Sequence, residues 1–138
     1  MKHAYEITPI VSPKFEVRQR SFLFFKWNYI QPLYVIEQAF DCYAMDGSIV
    51  HVEKGYVVDG ATIPWWLRWI YPQYREYFLP TILHDLGYTS QLVSKEWCDL
   101  NFLYWMYITG VDKKTRERFF WAVSKFGNKQ WNKYKKEN

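Results

Sequence analysis

The hydrophobic pattern of the chain changes at residues 59–64, and that change limits the available folds more than any other feature. Upstream, residues 33–45 are rich in aromatic and β-branched side chains, and Asp46-Gly47 supplies the two positive-φ positions of a tight hairpin turn. A return strand is predicted over 48–58. There Ile49, His51 and Glu53 alternate with Val50, Val52 and Lys54, which leaves no clean polar face. Apolar runs at 15–17 and 22–27 are read as further strands or an embellishing loop, interrupted by Pro9, Pro13 and Pro32. Downstream of Pro64 no strand-like alternation continues and turn signals thin out, so the second half is predicted to be helical. Pro80 suits the first residue of a helix, because the N–H it lacks would be unpaired there, so residues 81–88 are read as a short helix or the continuation of a kinked one. Ser94 is an N-cap for a second helix that runs through Trp105 and stops near Gly110. A third starts at Asp112 or Thr115, carries Phe119, Ala122, Val123 and Phe126 on one apolar stripe, and ends or kinks at Gly127. The predicted fold class is α+β: a β-rich N-terminal half with a hairpin, packed on a C-terminal bundle of about three helices that contains an antiparallel helical hairpin.

At 138 residues the chain is read as one domain, residues 1–138, long enough to enclose a core. Aromatic residues make up 22% of it, more than a minimal core uses, so some are expected at the surface. Trp65, Trp66 and Trp69 suit a membrane-surface contact, a protein interface or ordinary core packing. The net charge is +4, and much of the excess lies in Lys129, Lys133, Lys135 and Lys136 around Trp131 and Tyr134, a pattern that suits a contact with nucleic acid or anionic lipid but is read first as a solvated last helix with a frayed tail. A nucleic-acid partner is not expected; a phage or host protein, or a membrane surface, is. Cys42 and Cys98 lie far apart without metal-binding spacing, so a disulfide framework is not expected. With no signal-peptide pattern at the N-terminus and no membrane-length apolar run, the expected location is the cytoplasm.

The residues able to carry chemistry cluster around the turn between the first two helices. The midpoint of that hairpin falls between Gln91 and Leu92, and His84 and Asp99 are equally distant from it, so antiparallel packing sets them at one level. Asp99 is bracketed by Phe102, Leu103 and Met106, and a carboxylate on such a stripe costs several kcal/mol unless paired. The His84 imidazole is the expected partner. Tyr88, one turn past His84 on the same face, is placed to donate to the same carboxylate. An Asp that bonds one imidazole nitrogen fixes the tautomer and leaves the other nitrogen as a base. Asp85 points roughly 100° away around the helix. It suits a cation ligand, and a hard cation such as Ca²⁺ would draw further oxygens from Asp59 and the backbone at Gly60. The opposing reading is a satisfied polar cluster that sets helix register. HD-type phosphohydrolase chemistry would need His51 on a helix, whereas it falls on a predicted strand.

The segments at 56–64, 84–88 and 97–102, followed by Gly110-Val111 and residues 126–131, resemble the DUF1353 family of bacterial and phage proteins of unknown function. The resemblance spans about the last 80 residues. It implies a phage or prophage setting, with the host cytoplasm or the virion as location, and no defined reaction. The run His84-Asp85-Leu86-Gly87-Tyr88, with Asp99 and Phe102 on the next helix and Asp59-Gly60 upstream, is more distantly similar to the active-site helices of secreted phospholipases A2, the bacterial ones above all. That similarity implies a base at His84, Ca²⁺ on Asp85, an orienting role for Asp99, and further calcium ligands at Asp59 and Gly60. The chain departs from that pattern: it has no paired cysteines, no glycine-rich calcium loop beyond Gly60, and a shorter link between the helices.

Overall fold

A computed structural model of the chain describes residues 2–58, 62–64, 66–67 and 77–137, with backbone alone for 15, 16, 18, 20–22, 27, 29–32, 136 and 137. Trp65 and Trp69 lie outside the described residues. Among the described residues a 3-10 turn at Ala4–Glu6 is followed by five strands: β1 (Val11–Phe22), β2 (Phe25–Ile36), β3 (Phe40–Tyr43), β4 (Ile49–Val52) and β5 (Val57–Val58). Four helices follow among the described residues: α1 (Phe78–Ser90), α2 (Lys95–Ile108), α3 (Lys113–Phe126) and α4 (Asn128–Glu137). The architecture is α+β, as predicted, with α1 packed on α2 and α2 on α3.

The strands differ from the sequence reading in length and partner. The predicted strand over 33–45 is split between the end of β2 and the short β3, and the return strand over 48–58 between β4 and β5. β3 and β4 pair with each other, in the register Phe40↔Val52 to Tyr43↔Ile49, and β3 adds one isolated parallel bridge from Cys42 to Lys2, whereas β5 joins β2 through Tyr34↔Val58 and Val35↔Val57. The prolines that argued against early strands are accommodated in a hairpin of 12-residue arms. Pro13 is on the outer strand β1, and Pro32 lies beyond the last β2 residue that β5 covers. A missing N–H is tolerated where one side of a strand is unpaired.

Asp46-Gly47 does lie at the tip of β3–β4, but in a three-residue loop in which Gly47 alone has positive φ, +83°. Gly47 N–H donates to the Ala44 carbonyl at 3.0 Å, and Asp46 Oδ1 accepts from Ser48 N–H and Oγ at 3.0 and 2.6 Å. This is the type I turn with a left-handed glycine that is common in three-residue hairpins. The tip docks on α2: Trp97 Nε1 donates to Asp46 Oδ2, Asn101 Oδ1 accepts from Met45 N–H, and Trp105 Nε1 donates to the Tyr43 carbonyl. These bonds join the two halves of the fold.

Helix boundaries follow the capping signals. Ser94 Oγ accepts from Trp97 N–H at 3.1 Å and Asp112 Oδ2 from Thr115 N–H at 3.0 Å, so Asp112, not Thr115, caps α3. Gly110 ends α2 at φ +92°. α1 starts earlier than expected, at Phe78, and Pro80 sits inside its first turn. Phe119, Ala122 and Val123 are buried as predicted, but Phe126 is half exposed at the end of the stripe. On α4 the ends at Lys129, Lys133 and Lys135 are exposed while Trp131 and Tyr134 are partly buried, which fits a solvated last helix.

The apolar residues form two clusters on either side of the α1–α2 contact. One sets Ile36, Cys42, Val52 and Val58 against Leu79, Ile82, Leu83 and Trp105. The other joins Ile63, Leu67, Phe102 and Met106 to the buried face of α3, with Trp66 packed at its edge. α1 and α2 meet closely because Gly87 has no side chain: a Cβ there would come 2.7 Å from Cys98 Sγ. Both cysteines are free and buried. No helix among the described residues is long and apolar enough to cross a membrane.

Candidate functional site

The close α1–α2 contact brings His84 and Asp99 together at the level that their equal spacing from the turn predicts. His84 Nε2 lies 2.8 Å from Asp99 Oδ1, and Tyr88 donates its hydroxyl to the same oxygen at 2.8 Å. The second carboxylate oxygen accepts from Lys95 Nζ at 2.7 Å. That ammonium also donates to the Val123 and Ser124 carbonyls at 3.1 and 3.3 Å, at the C-terminal end of α3, where a cation meets the negative end of the helix dipole. Lys95 therefore ties α3 to the α2 carboxylate that His84 and Tyr88 already tie to α1.

His84 is fully enclosed. Its ring lies between Tyr88 and Phe102, with centroids at 4.3 and 4.6 Å. Its other nitrogen, Nδ1, faces the Thr62 hydroxyl at 3.1 Å. Burial holds the imidazole below its ordinary pKa, against the opposing pull of Asp99, so the ring is neutral near pH 7. Burial pushes the Asp99 carboxyl up, but the hydrogen bonds from His84, Lys95 and Tyr88 together outweigh it and hold the group below the usual carboxylate range. With Asp99 ionised and the ring neutral, the proton sits on Nε2, and Nδ1 accepts from Thr62. The network meets solvent on the Asp99 side, where Asp99 and Lys95 border a cleft of about 460 Å³ that Phe120, Ser124 and Asn128 also line.

Helix α4 covers the opposite side of Tyr88. The Trp131 ring meets Tyr88 edge-on at 5.3 Å. Gly127, between α3 and α4, leaves space for the phenol, since a Cβ there would come 2.5 Å from its oxygen.

Asp85 is buried and separate from the dyad, as its position around α1 predicts. Its Oδ2 accepts from the Tyr56 hydroxyl at 2.7 Å, and that hydroxyl also meets Thr89 Oγ1 at 3.2 Å. Asp59 and Gly60, the other two expected metal ligands, lie outside the described residues. Among the described residues no group of three or more His, Cys, Asp and Glu side chains is arranged to hold a metal ion. His51 is exposed on β4 between Asp41 and Glu53, apart from His84.

Three contributors escaped the sequence reading. Lys95 was visible as an i,i+4 partner of Asp99. Tyr56 and Thr62 approach across 29 and 22 residues, and no local periodicity marks them.

Both titrations lower stability in acid. The unfolded His84 binds a proton below about 6.5 while the folded ring resists it, so its contribution is complete above that value and shrinks as pH falls. Asp99 contributes above about 3.8 and loses that contribution on further acidification. His51 is raised by its hydrogen bond to Asp41, which acts in the opposite sense, but it is exposed and weak. The melting temperature should therefore fall from pH 7 to pH 5, and His84→Gln should flatten that part of the profile. An equal slope in the variant would contradict a neutral buried ring.

No curated protein and no solved structure matches the chain. A family model described as "Protein of unknown function (DUF1353)" matches residues 34–123. The match opens earlier than the motifs suggested, at the end of β2, and closes before residues 126–131. It spans β3 to β5 together with Thr62, His84, Asp85, Tyr88, Lys95 and Asp99, so the helical hairpin and its polar network lie inside the matched region. With most of its length covered, the chain belongs to the DUF1353 family.

Proposed function

We propose that the protein is a hydrolase of carboxylic esters, with phospholipids as the substrate class, in which His84 is the general base. The observation that carries this reading is the opposed engagement of the two ring nitrogens: Nε2 on the Asp99 carboxylate, and Nδ1 against a single hydroxyl, that of Thr62. Water in the place of that hydroxyl would lose a proton to Nδ1 as its oxygen bonds the ester carbonyl carbon; Asp99 stabilises the imidazolium that forms, and the imidazolium returns the proton to the alkoxide that leaves when the ester C–O bond breaks. Tyr88 and Lys95 hold Asp99 in position. Calcium, bound by Asp85 with Asp59 and the Gly60 backbone, would supply positive charge for the oxyanion. Asp85→Asn should weaken hydrolysis, and raised Ca²⁺ should restore part of it. Activity equal to the wild type at every calcium concentration would contradict the metal role.

One observation favours a second reading, a non-enzymatic phage virion component or a protein that modulates a host partner. His84 is fully buried with both nitrogens engaged, which is also how a polar cluster that fixes helix register is built. Under it the wild type has no calcium-dependent turnover, and substitutions in the network change stability or partner binding alone.

A further inference from the structure

The β1–β2 hairpin is the longest paired element among the described residues, and its outer end is poorly suited to water. The arms pair out to Phe22↔Phe25, so Leu23 and Phe24 form the loop. Two-residue loops favour Asn, Asp or Gly, because positive φ strains residues with bulky side chains. Leu23 nevertheless holds φ +56°. Leu23, Phe24 and Phe25 are 78%, 98% and 73% exposed, and Val17 on the arm is 69% exposed. Among the described strands none pairs with the arms outward of Leu33 except the arms themselves. A strained turn of two exposed apolar residues, with a third beside it at the start of β2, adds no core, and such features persist where they meet something outside the chain.

The charge behind the tip identifies that partner. Residues 17–28 contain Arg18, Arg20 and Lys26 and no acidic residue. The register sets Arg20 opposite Trp27 and Arg18 opposite Tyr29. At ~3.4 Å per residue these rungs lie about 7 Å and about 14 Å behind the Phe22↔Phe25 rung. An apolar end followed by Trp, Tyr and cations is the order in which a bilayer changes from acyl chains to headgroup phosphates.

We propose that the β1–β2 tip is a membrane-docking element that inserts Leu23, Phe24 and Phe25 into the outer acyl region of an anionic bilayer, with Arg18, Arg20 and Lys26 supplying the positive charge that meets its phosphates. The docking does not depend on chemistry at His84, because binding is read without turnover. Arginine–aromatic rungs also suit single-stranded nucleic acid, but the apolar loop has no role in that contact.

The test is co-sedimentation of the full chain with vesicles of phosphatidylcholine alone and of phosphatidylcholine mixed with phosphatidylglycerol. Binding is expected on the mixed vesicles and should weaken with salt. Leu23→Asn combined with Phe24→Gly gives the loop a favoured turn sequence, so the hairpin is kept while the apolar tip is lost. This variant should bind at least about tenfold more weakly. Arg18→Gln, Arg20→Gln and Lys26→Gln should each cost about fivefold on mixed vesicles. The proposal is overturned if the wild type stays in the supernatant, or if the tip variant binds the mixed vesicles as well as the wild type does. It is overturned equally if the tip substitutions dissolve a dimer or abolish oligonucleotide binding while leaving vesicle binding unchanged.

Discussion

Asp99→Ala should destabilise the fold by about 3–5 kcal/mol in urea unfolding, because removing one partner of a buried ionic network strands all the others. Asp99 is 3% exposed and takes hydrogen bonds from His84, Tyr88 and Lys95, each on or beside the α1–α2 contact. Without the carboxylate, His84 Nε2 and the Tyr88 hydroxyl lose their acceptor inside the protein, at a cost of ~1–3 kcal/mol for each unsatisfied group. The Lys95 ammonium retains the Val123 and Ser124 carbonyls. Asp99→Asn, which keeps an acceptor in place, should be milder than Asp99→Ala. A loss below about 1 kcal/mol for the alanine variant would mean that the network adds little to the stability of the fold.

His84→Gln should lower ester hydrolysis by ~10²–10⁴-fold, the range for removal of a general base. The glutamine amide can still hydrogen-bond and occupies similar space, so α1 and α2 should stay packed and the loss should be one of rate. An imidazole held only as scaffold would give the reverse: a lower melting temperature and no rate to lose. Far-UV circular dichroism and thermal melting of the variant, measured beside turnover, separate the two.

The parts of this site that could be read from the amino acids are those set by helical geometry. His84, Tyr88 and Asp99 meet because a short turn between two helices makes sequence distance from the turn equivalent to height along the bundle. Asp85 was separable from them by the rotation per residue alone. Thr62 and Tyr56 were not, since their approach depends on where the chain between β4 and α1 runs, and nothing in its local pattern states that. The strands were less legible for a related reason. Pro13 and Pro32 exclude a central strand but not an edge or half-covered one, and which of these applies is decided by the two-residue β5 forming its pair with β2. The stretch over 33–45 reads as one strand because its composition is continuous, yet it changes sheet between Ile36 and Phe40.

Turnover of a fluorogenic phospholipid by the purified wild-type chain, in excess calcium and again in excess chelator, tests the central claim most directly. A base at His84 assisted by calcium at Asp85 should give hydrolysis above buffer that the chelator removes and His84→Gln abolishes. A rate indistinguishable from buffer under both conditions would contradict it and leave the His84–Asp99–Tyr88 network as the scaffold of a binding protein.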